Sequence, residues 1–162
     1  MRILPASLAL TLAGALMVSS GSAAADAGRF QFVYGDVQVI SKQGVARKAT
    51  RGLRVDEGDT IRSSRRSAAQ VKMVDGAALA VRPNTELRID NYSFKKKGTE
   101  DRSYFSLIKG TFRSITGLIG RNKRSSYRVK TPTATIGIRG SDAEIGHNGG
   151  VSAVHTINGG HS

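Results

Sequence analysis

Hydrophobic residues recur at every second position through most of this chain, in short bursts broken by glycine. Phe30, Phe32 and Tyr34 alternate with polar partners or with Val33, and Val37 and Val39 alternate with Asp36, Gln38 and Ile40. Leu53 and Val55 alternate with Arg54 and Asp56, Val71 and Met73 with Lys72, Leu79 and Val81 with Ala80 and Arg82, and Leu87 and Ile89 with Arg88 and Asp90. A period of two sets one face of a strand on a core and the other in water. Beyond the N-terminal segment no stretch shows the 3.6-residue period of an amphipathic helix. The 19 glycines fall largely between the runs, where turns need positive φ. Short strands recurring at spacings of about 8 to 12 residues predict an all-β chain: a sandwich, barrel, roll or short solenoid.

The turn signals fit that reading. Asp75-Gly76 sits between AAQVKMV and AALAVR, and Asp-Gly between two alternating runs is a strong hairpin signal. Arg82-Pro83-Asn84 breaks a ladder, because proline has no N–H to donate. Gly35-Asp36 and Gly58-Asp59 each precede a short strand, and Gly110 marks a bend or bulge between YFSLIK and TFRSI. Residues 94–101, with KKKGTED, read as a polar loop joining two halves. Residues 116–126, with Gly117, Gly120 and three basic residues, read as a second, mobile loop.

The N-terminal segment predicts the compartment. Arg2 is followed by an apolar run of about 11 residues and then by Ala23-Ala24-Ala25-Asp26-Ala27, the pattern of a secretory signal peptide. A cut fits after Ala25 or after Ala27. The run is too short for a membrane span, which needs about 20 residues. No cysteine follows it, which excludes a lipoprotein anchor, and the whole chain has none. The expected organisation is a signal peptide over 1–27, an all-β domain over 28–145 and a Gly/His-rich tail over 146–162. That tail is either a natural end or a continuation cut short, with one strand over 152–157. The expected location is the periplasm or the exterior. With no disulfide and no tryptophan, the core is expected to consist of Val, Ile, Leu and Ala.

The net charge is +13, from 25 Lys and Arg against 12 Asp and Glu. The basic residues cluster at Arg62, Arg65 and Arg66, at Lys95, Lys96 and Lys97, and at Arg121, Lys123 and Arg124. No cluster is interleaved with aromatics as a base-stacking surface would be, so a sequence-specific nucleic-acid reader is not expected. After export the available anions are cell-wall polymers, lipopolysaccharide phosphates, acidic protein faces and extracellular DNA. The plain alternative is a solvated face that keeps the protein soluble.

No catalytic constellation emerges. Serines are plentiful, but none sits in a Gly-x-Ser-x-Gly elbow. Asp56, Glu57 and Asp59 are close in sequence, and a turn is their simpler reading. Gly137-Ile138-Arg139-Gly140 lacks the Lys-Ser/Thr of a phosphate loop. His147, His155 and His161 match no zinc spacing, with Asp142 and Glu144 as the nearest oxygens. The chain is therefore expected to be no enzyme and to need no cofactor and no metal.

An ordered set of motifs runs through the chain. It begins with Gly35-Asp36-Val37, Gly52-Leu53, Val55 and Gly58-Asp59-Thr60-Ile61-Arg62-Ser63-Ser64. It continues with Ala69-Gln70-Val71, Asp75-Gly76, Leu79, Val81, Pro83-Asn84-Thr85 and Leu87-Arg88-Ile89. It closes with Leu107, Gly110-Thr111-Phe112-Arg113, Val129, Thr131-Pro132-Thr133-Ala134 and Ile136-Gly137-Ile138-Arg139-Gly140-Ser141. This set resembles the FecR domain from about Phe30 to Glu144. The resemblance implies a β-roll, short β-solenoid or sandwich of many short strands with hairpin turns. It also implies a non-enzymatic module for protein–protein interaction or signalling in the bacterial envelope. Electrostatic binding of an anionic envelope polymer (peptidoglycan, lipopolysaccharide or extracellular DNA) is the alternative. Family members that regulate sigma factors also carry a cytoplasmic segment and a membrane span, which this chain lacks, so it resembles the stand-alone exported form. Ser141 replaces the usual Thr. The motif residues Gly58, Asp59, Asp75, Gly76, Thr131, Pro132, Gly137, Arg139 and Gly140 are expected to maintain the fold. The expected binding surface is Lys95, Lys96, Lys97, Arg121, Lys123 and Arg124, together with exposed strand edges that another envelope protein could extend.

Overall fold

A computed structural model of the chain describes residues 26–96, 100–138 and 142–157, the side chain of Arg124 excepted. The predicted signal peptide up to Ala25 lies outside the described residues, as do Lys97, Arg139, Gly140, Ser141 and His161. The described residues form one curled sheet of thirteen strands. In chain order these are β1 (Asp26–Tyr34), β2 (Val37–Ile40), β3 (Ala46–Lys48), β4 (Arg54–Asp56), β5 (Thr60–Ser63), β6 (Ala68–Met73) and β7 (Ala78–Val81). After them come β8 (Glu86–Ser93), β9 (Arg102–Ile115), β10 (Tyr127–Lys130), β11 (Thr135–Gly137), β12 (Asp142–Asn148) and β13 (Val151–Thr156). One short helix, α1 (Leu118–Asn122), and a 3-10 turn at Arg124–Ser126 join β9 to β10. The all-β class expected from the alternation is the one observed, in the form of a curled and almost wholly antiparallel half-barrel.

Everything pivots on β9. Its first part pairs antiparallel with β8 and parallel with β10. Its last part, residues 110–115, pairs with β12, and residues 112–115 pair also with β7. One strand therefore serves two runs of the sheet: β3-β2-β5-β8-β9-β10-β11 and β4-β1-β6-β7-β9-β12-β13. Gly110 stands at the handover with φ of +90°. A Cβ there would meet Thr85 Oγ1 at 2.4 Å and Thr85 Cα at 2.5 Å. Thr85 is buried, and its hydroxyl accepts the Thr111 N–H (3.0 Å) and donates to the Thr111 carbonyl (2.9 Å). The glycine is needed both for its backbone conformation and for this close approach.

The core lies inside the curl. Val37, Val39, Ile61, Val71, Leu79, Leu87, Ile89, Leu107, Val129 and Ile145 are fully buried, as alternation dictates. Its centre is more aromatic than the composition suggested. The Phe105 ring lies 6.5 Å from that of Phe112 and 5.6 Å from that of Tyr127, and the buried Tyr127 hydroxyl hydrogen-bonds to Ser114. Burial pushes that phenol well above its ordinary range.

Three sequence expectations are corrected. In β1 the register slips between Phe30, opposite Val71, and Phe32, opposite Gln70. This bulge turns the rest of the strand over. Phe30 and not its period-two mates is in the core, while Phe32 and Tyr34 are 53% and 62% exposed. Residues 116–126 are an ordered connection and not an open loop: Ile119 is buried in the core from α1. The expected domain limits also fall inside elements. Asp26 and the fully buried Ala27 belong to β1, and β12 and β13 extend the sheet to Thr156, because the Gly149-Gly150 turn folds the tail back on itself.

Replacing Gly110 by Ala combines a left-handed backbone with a steric clash, so a loss of roughly 2–4 kcal/mol is expected. Gly137, which has open space around the Cβ position, serves as the control: Gly137→Ala should change stability by less than about 0.5 kcal/mol. Urea unfolding of both variants checks the contrast, and equal losses would remove the handover role of Gly110.

Candidate interaction surfaces

The motif residues hold turns. Gly58 has φ of +91° within the Asp56–Asp59 turn, closed by Asp59 N–H to the Asp56 carbonyl at 3.1 Å. The buried Asp59 carboxylate accepts the Asp56 N–H (3.1 Å) and pairs with Arg47 (3.3 Å). Desolvation raises its pKa against both partners. Of the three carboxylates that sequence proximity brought to attention, Asp59 is committed by these contacts and Glu57 accepts the Tyr92 N–H at 2.9 Å, while Asp56 enters the turn through its backbone N–H and carbonyl.

Asp75 does more than its hairpin position implied. The connection from β6 to β7 is closed by Gly76 N–H to the Met73 carbonyl (3.0 Å) and Met73 N–H to the Ala77 carbonyl (2.9 Å). With Gly76 at φ of +90°, this is a type I turn followed by a left-handed glycine bulge, not a two-residue loop. Asp75 is 2% exposed. Its carboxylate accepts three hydrogen bonds: from Tyr92 Oη (2.8 Å), from the Ala77 N–H (3.1 Å) and from the Ile119 N–H (3.3 Å). Its carbonyl also accepts the Leu118 N–H at 3.0 Å. One side chain thus ties the hairpin, β8 and α1 together. Burial, and next the charge of Asp75, push the Tyr92 phenol far above its usual range.

Thr131 and Pro132 form the turn between β10 and β11. Thr131 N–H donates to the Ala134 carbonyl (2.8 Å), and the Thr131 hydroxyl accepts the Ala134 N–H (2.9 Å). That hydroxyl also meets Ser152 Oγ on β13 at 2.7 Å. Ser152 Oγ lies 2.8 Å from the Thr133 hydroxyl and 2.9 Å from His147 Nδ1. The Ser–His contact is shared among three hydroxyls, and among the described residues no carboxylate orients the imidazole. Among the described residues no group of three or more His, Asp or Glu gathers as metal ligands.

The two basic loops converge. Parallel pairing sets Tyr127 opposite Ser103, so the residues that lead into β9 and into β10 lie side by side. The Lys95 N–H is anchored to Asp101 Oδ1 at 2.7 Å. Lys95, Lys96, Arg121 and Lys123 are exposed, and Lys123 lines a groove there with Arg102 and Arg128. Sequence reading missed those two arginines, because each is a single polar position within an alternating strand.

Among the described residues the sheet has four edges: β3, β4, β11 and β13. The first three are three residues long, and β3 and β4 carry charges, the usual protection of an edge. β13 reads VSAVHT, six residues without charge or proline, and only Ser152 is partly buried. Ile157 N–H donates to the Asp142 carbonyl at 3.0 Å. By antiparallel alternation, residues 151, 153 and 155 bond to β12, and residues 152, 154 and 156 turn their N–H and C=O groups outward.

The FecR protein family model matches residues 59–160, well over half of the chain, and the chain belongs to that signalling-related family. No curated protein and no solved structure matches it. The matched span includes β12 and β13, which places the hairpin within the family's own domain. No helix among the described residues is long and apolar enough to cross a membrane.

Asp75→Ala leaves three buried donors without an acceptor. A loss of roughly 2–4 kcal/mol is expected, with Asp75→Asn recovering part of it. Chemical denaturation with Tyr fluorescence measures both, and an Asp75→Ala protein as stable as its parent would remove the hub role.

Proposed function

We propose that this chain is an exported, non-enzymatic FecR module of the bacterial envelope that docks a partner protein by strand addition to β13. The observation that carries this reading is the open edge. A strand of six uncharged residues offers outward N–H and C=O groups at alternate positions, with Val151 69% exposed and Val154 46% exposed beside them. Main-chain bonds to such an edge give affinity, and alternate side chains give selectivity. The family's tie to signalling supports a recognition role.

The N-terminal pattern supports export, and the contacts of β1 favour one of the two cleavage points. Asp26 pairs with Arg54 (2.9 Å) and Arg29 (3.4 Å), Ala27 is fully buried, and its carbonyl accepts the Val74 N–H at 3.0 Å. A cut after Ala27 would strip these contacts, whereas a cut after Ala25 keeps them. The intact mass of protein recovered from the exported fraction should correspond to a chain starting at Asp26. A mass starting at Gly28 would overturn that assignment.

The docking edge is tested with Val154→Pro, which deletes an outward N–H without touching the β12 ladder. Tagged wild-type protein should retain a partner from envelope extract at high salt. Val154→Pro should lose it with a thermal midpoint unchanged within about 4 °C, and Lys95→Glu/Lys96→Glu should keep it. Retention by Val154→Pro would sink strand addition.

A further inference from the structure

The groove between the starts of β9 and β10 has a chemistry of its own, at the other end of β10 from the Thr131 turn that touches β13. Segments 95–102 and 121–130 together carry nine Lys and Arg against two acids, Glu100 and Asp101. Elsewhere seven arginines are committed, since Arg29, Arg47, Arg54, Arg62, Arg82, Arg88 and Arg113 each pair with a carboxylate, whereas Arg51, Arg65 and Arg66 stand exposed at turns. Among the described residues Arg102, Lys123 and Arg128 enter no such pair. The buried Arg102 Nε–H has no acceptor among the described residues.

The groove's cations are set by register. Arg128 stands opposite Tyr104 in the parallel pair, its guanidinium 5.6 Å above the Tyr104 ring centroid and its Nε–H donating to the Ser125 carbonyl at 3.2 Å. These contacts orient the fork, and its terminal nitrogens take no further hydrogen bond among the described residues. Arg102 lies two residues before Tyr104 on the same face of β9, a diagonal of about 8 Å from Arg128 by strand geometry. Two forks and the Lys123 ammonium so close together suit a dianionic oxyanion, which a phosphomonoester supplies. The groove holds about 350 Å³, the size of a headgroup and not of a long polymer segment. Glu100 and Asp101 line it too. They disfavour a continuous polyanion and can accept hydroxyl protons. The larger cleft of about 670 Å³ beside β1 and β6 offers less, since Arg29 is paired with Asp26 and Lys72 Nζ donates to the Gly76 carbonyl.

We propose that this groove binds a phosphorylated sugar, its phosphate held by Arg102, Lys123 and Arg128 and its hydroxyls by Glu100 and Asp101. The unit is either free or borne on a lipid. The inference is independent of the β13 edge.

Titration of the mature protein with glucose 1-phosphate at 0.15 M salt, followed by amide NMR, is the test. Saturable shifts at residues 100–104 and 125–128 are expected, with Arg102→Gln and Arg128→Gln each weakening binding about tenfold. Lys123→Gln, on an exposed side chain, replaces either arginine variant if that variant fails to fold. Arg51→Gln/Arg65→Gln removes two charges at other turns and should weaken binding less than about twofold. Equal loss in that control, which would mean general charge attraction, overturns the proposal, as does inorganic phosphate binding as tightly as the sugar phosphate. Cosedimentation with vesicles separates the sources. Binding to vesicles carrying a phosphorylated glucosamine lipid but not to phosphatidylglycerol vesicles assigns the lipid-borne unit, and binding of the free sugar phosphate alone assigns the free one. Equal binding to both vesicle types also overturns it.

Discussion

The fold depends on one strand serving two runs of a sheet. β9 must deliver Phe105 and Leu107 to one part of the core and Phe112 to another, and Gly110 lets it turn between them. A side chain at that point would displace Thr85, whose hydroxyl closes both backbone groups of Thr111. The aromatic cluster of Phe105, Phe112 and Tyr127 then fills the angle of the bend. Few aromatics suffice because they are concentrated where the two runs meet, and the aliphatic alternation fills the rest.

A second constraint is electrostatic. The curl leaves its interior to be closed by the link from β9 to β10, and that link has little apolar surface beyond Ile119. Asp75 supplies what packing does not. Its carboxylate reaches the first turn of α1, and Gly117 keeps that approach open, since a Cβ there would stand 2.4 Å from Asp75 Oδ2. A buried carboxylate with three donors is stable only while all three remain in place. The closure therefore stands or falls as a unit, and it positions Lys123 beside β10.

Much of this was legible in the sequence, and the remainder fails for identifiable reasons. Strands β6, β7 and β8 follow from alternation alone, since a half-buried strand has no other pattern. The bulge in β1 is invisible there, because Phe30, Phe32 and Tyr34 keep their spacing while the partner strand slips by one. α1 has five residues, too few for a helical period to register. Asp75-Gly76 announced a turn, but the partners that make Asp75 a hub lie 17 and 44 residues further along the chain. Lys123 was legible as part of a run. Arg102 and Arg128 were not, since only the parallel register of β9 and β10 brings them together.

The same bookkeeping of charge explains why two surfaces with different physics coexist. Six of the twelve carboxylates hold seven arginines, Asp75 holds the closure, and Asp36, Glu57 and Asp101 accept from Ser64, Tyr92 and Lys95. Exposed ion pairs each contribute only up to about 1 kcal/mol, but together with these hydrogen bonds they commit ten of the twelve carboxylates to the fold. Among the described residues, Arg102, Lys123 and Arg128 enter none of these ion pairs, and they line one groove beside the link between β9 and β10. Contacts there weaken with ionic strength, because the screening length is about 8 Å at physiological salt. β13 carries no charge, so bonds along its edge respond little to salt. It is also the long edge on which the chain places no Lys, Arg, Asp or Glu of its own, so the strand addition we propose does not require a partner of one sign.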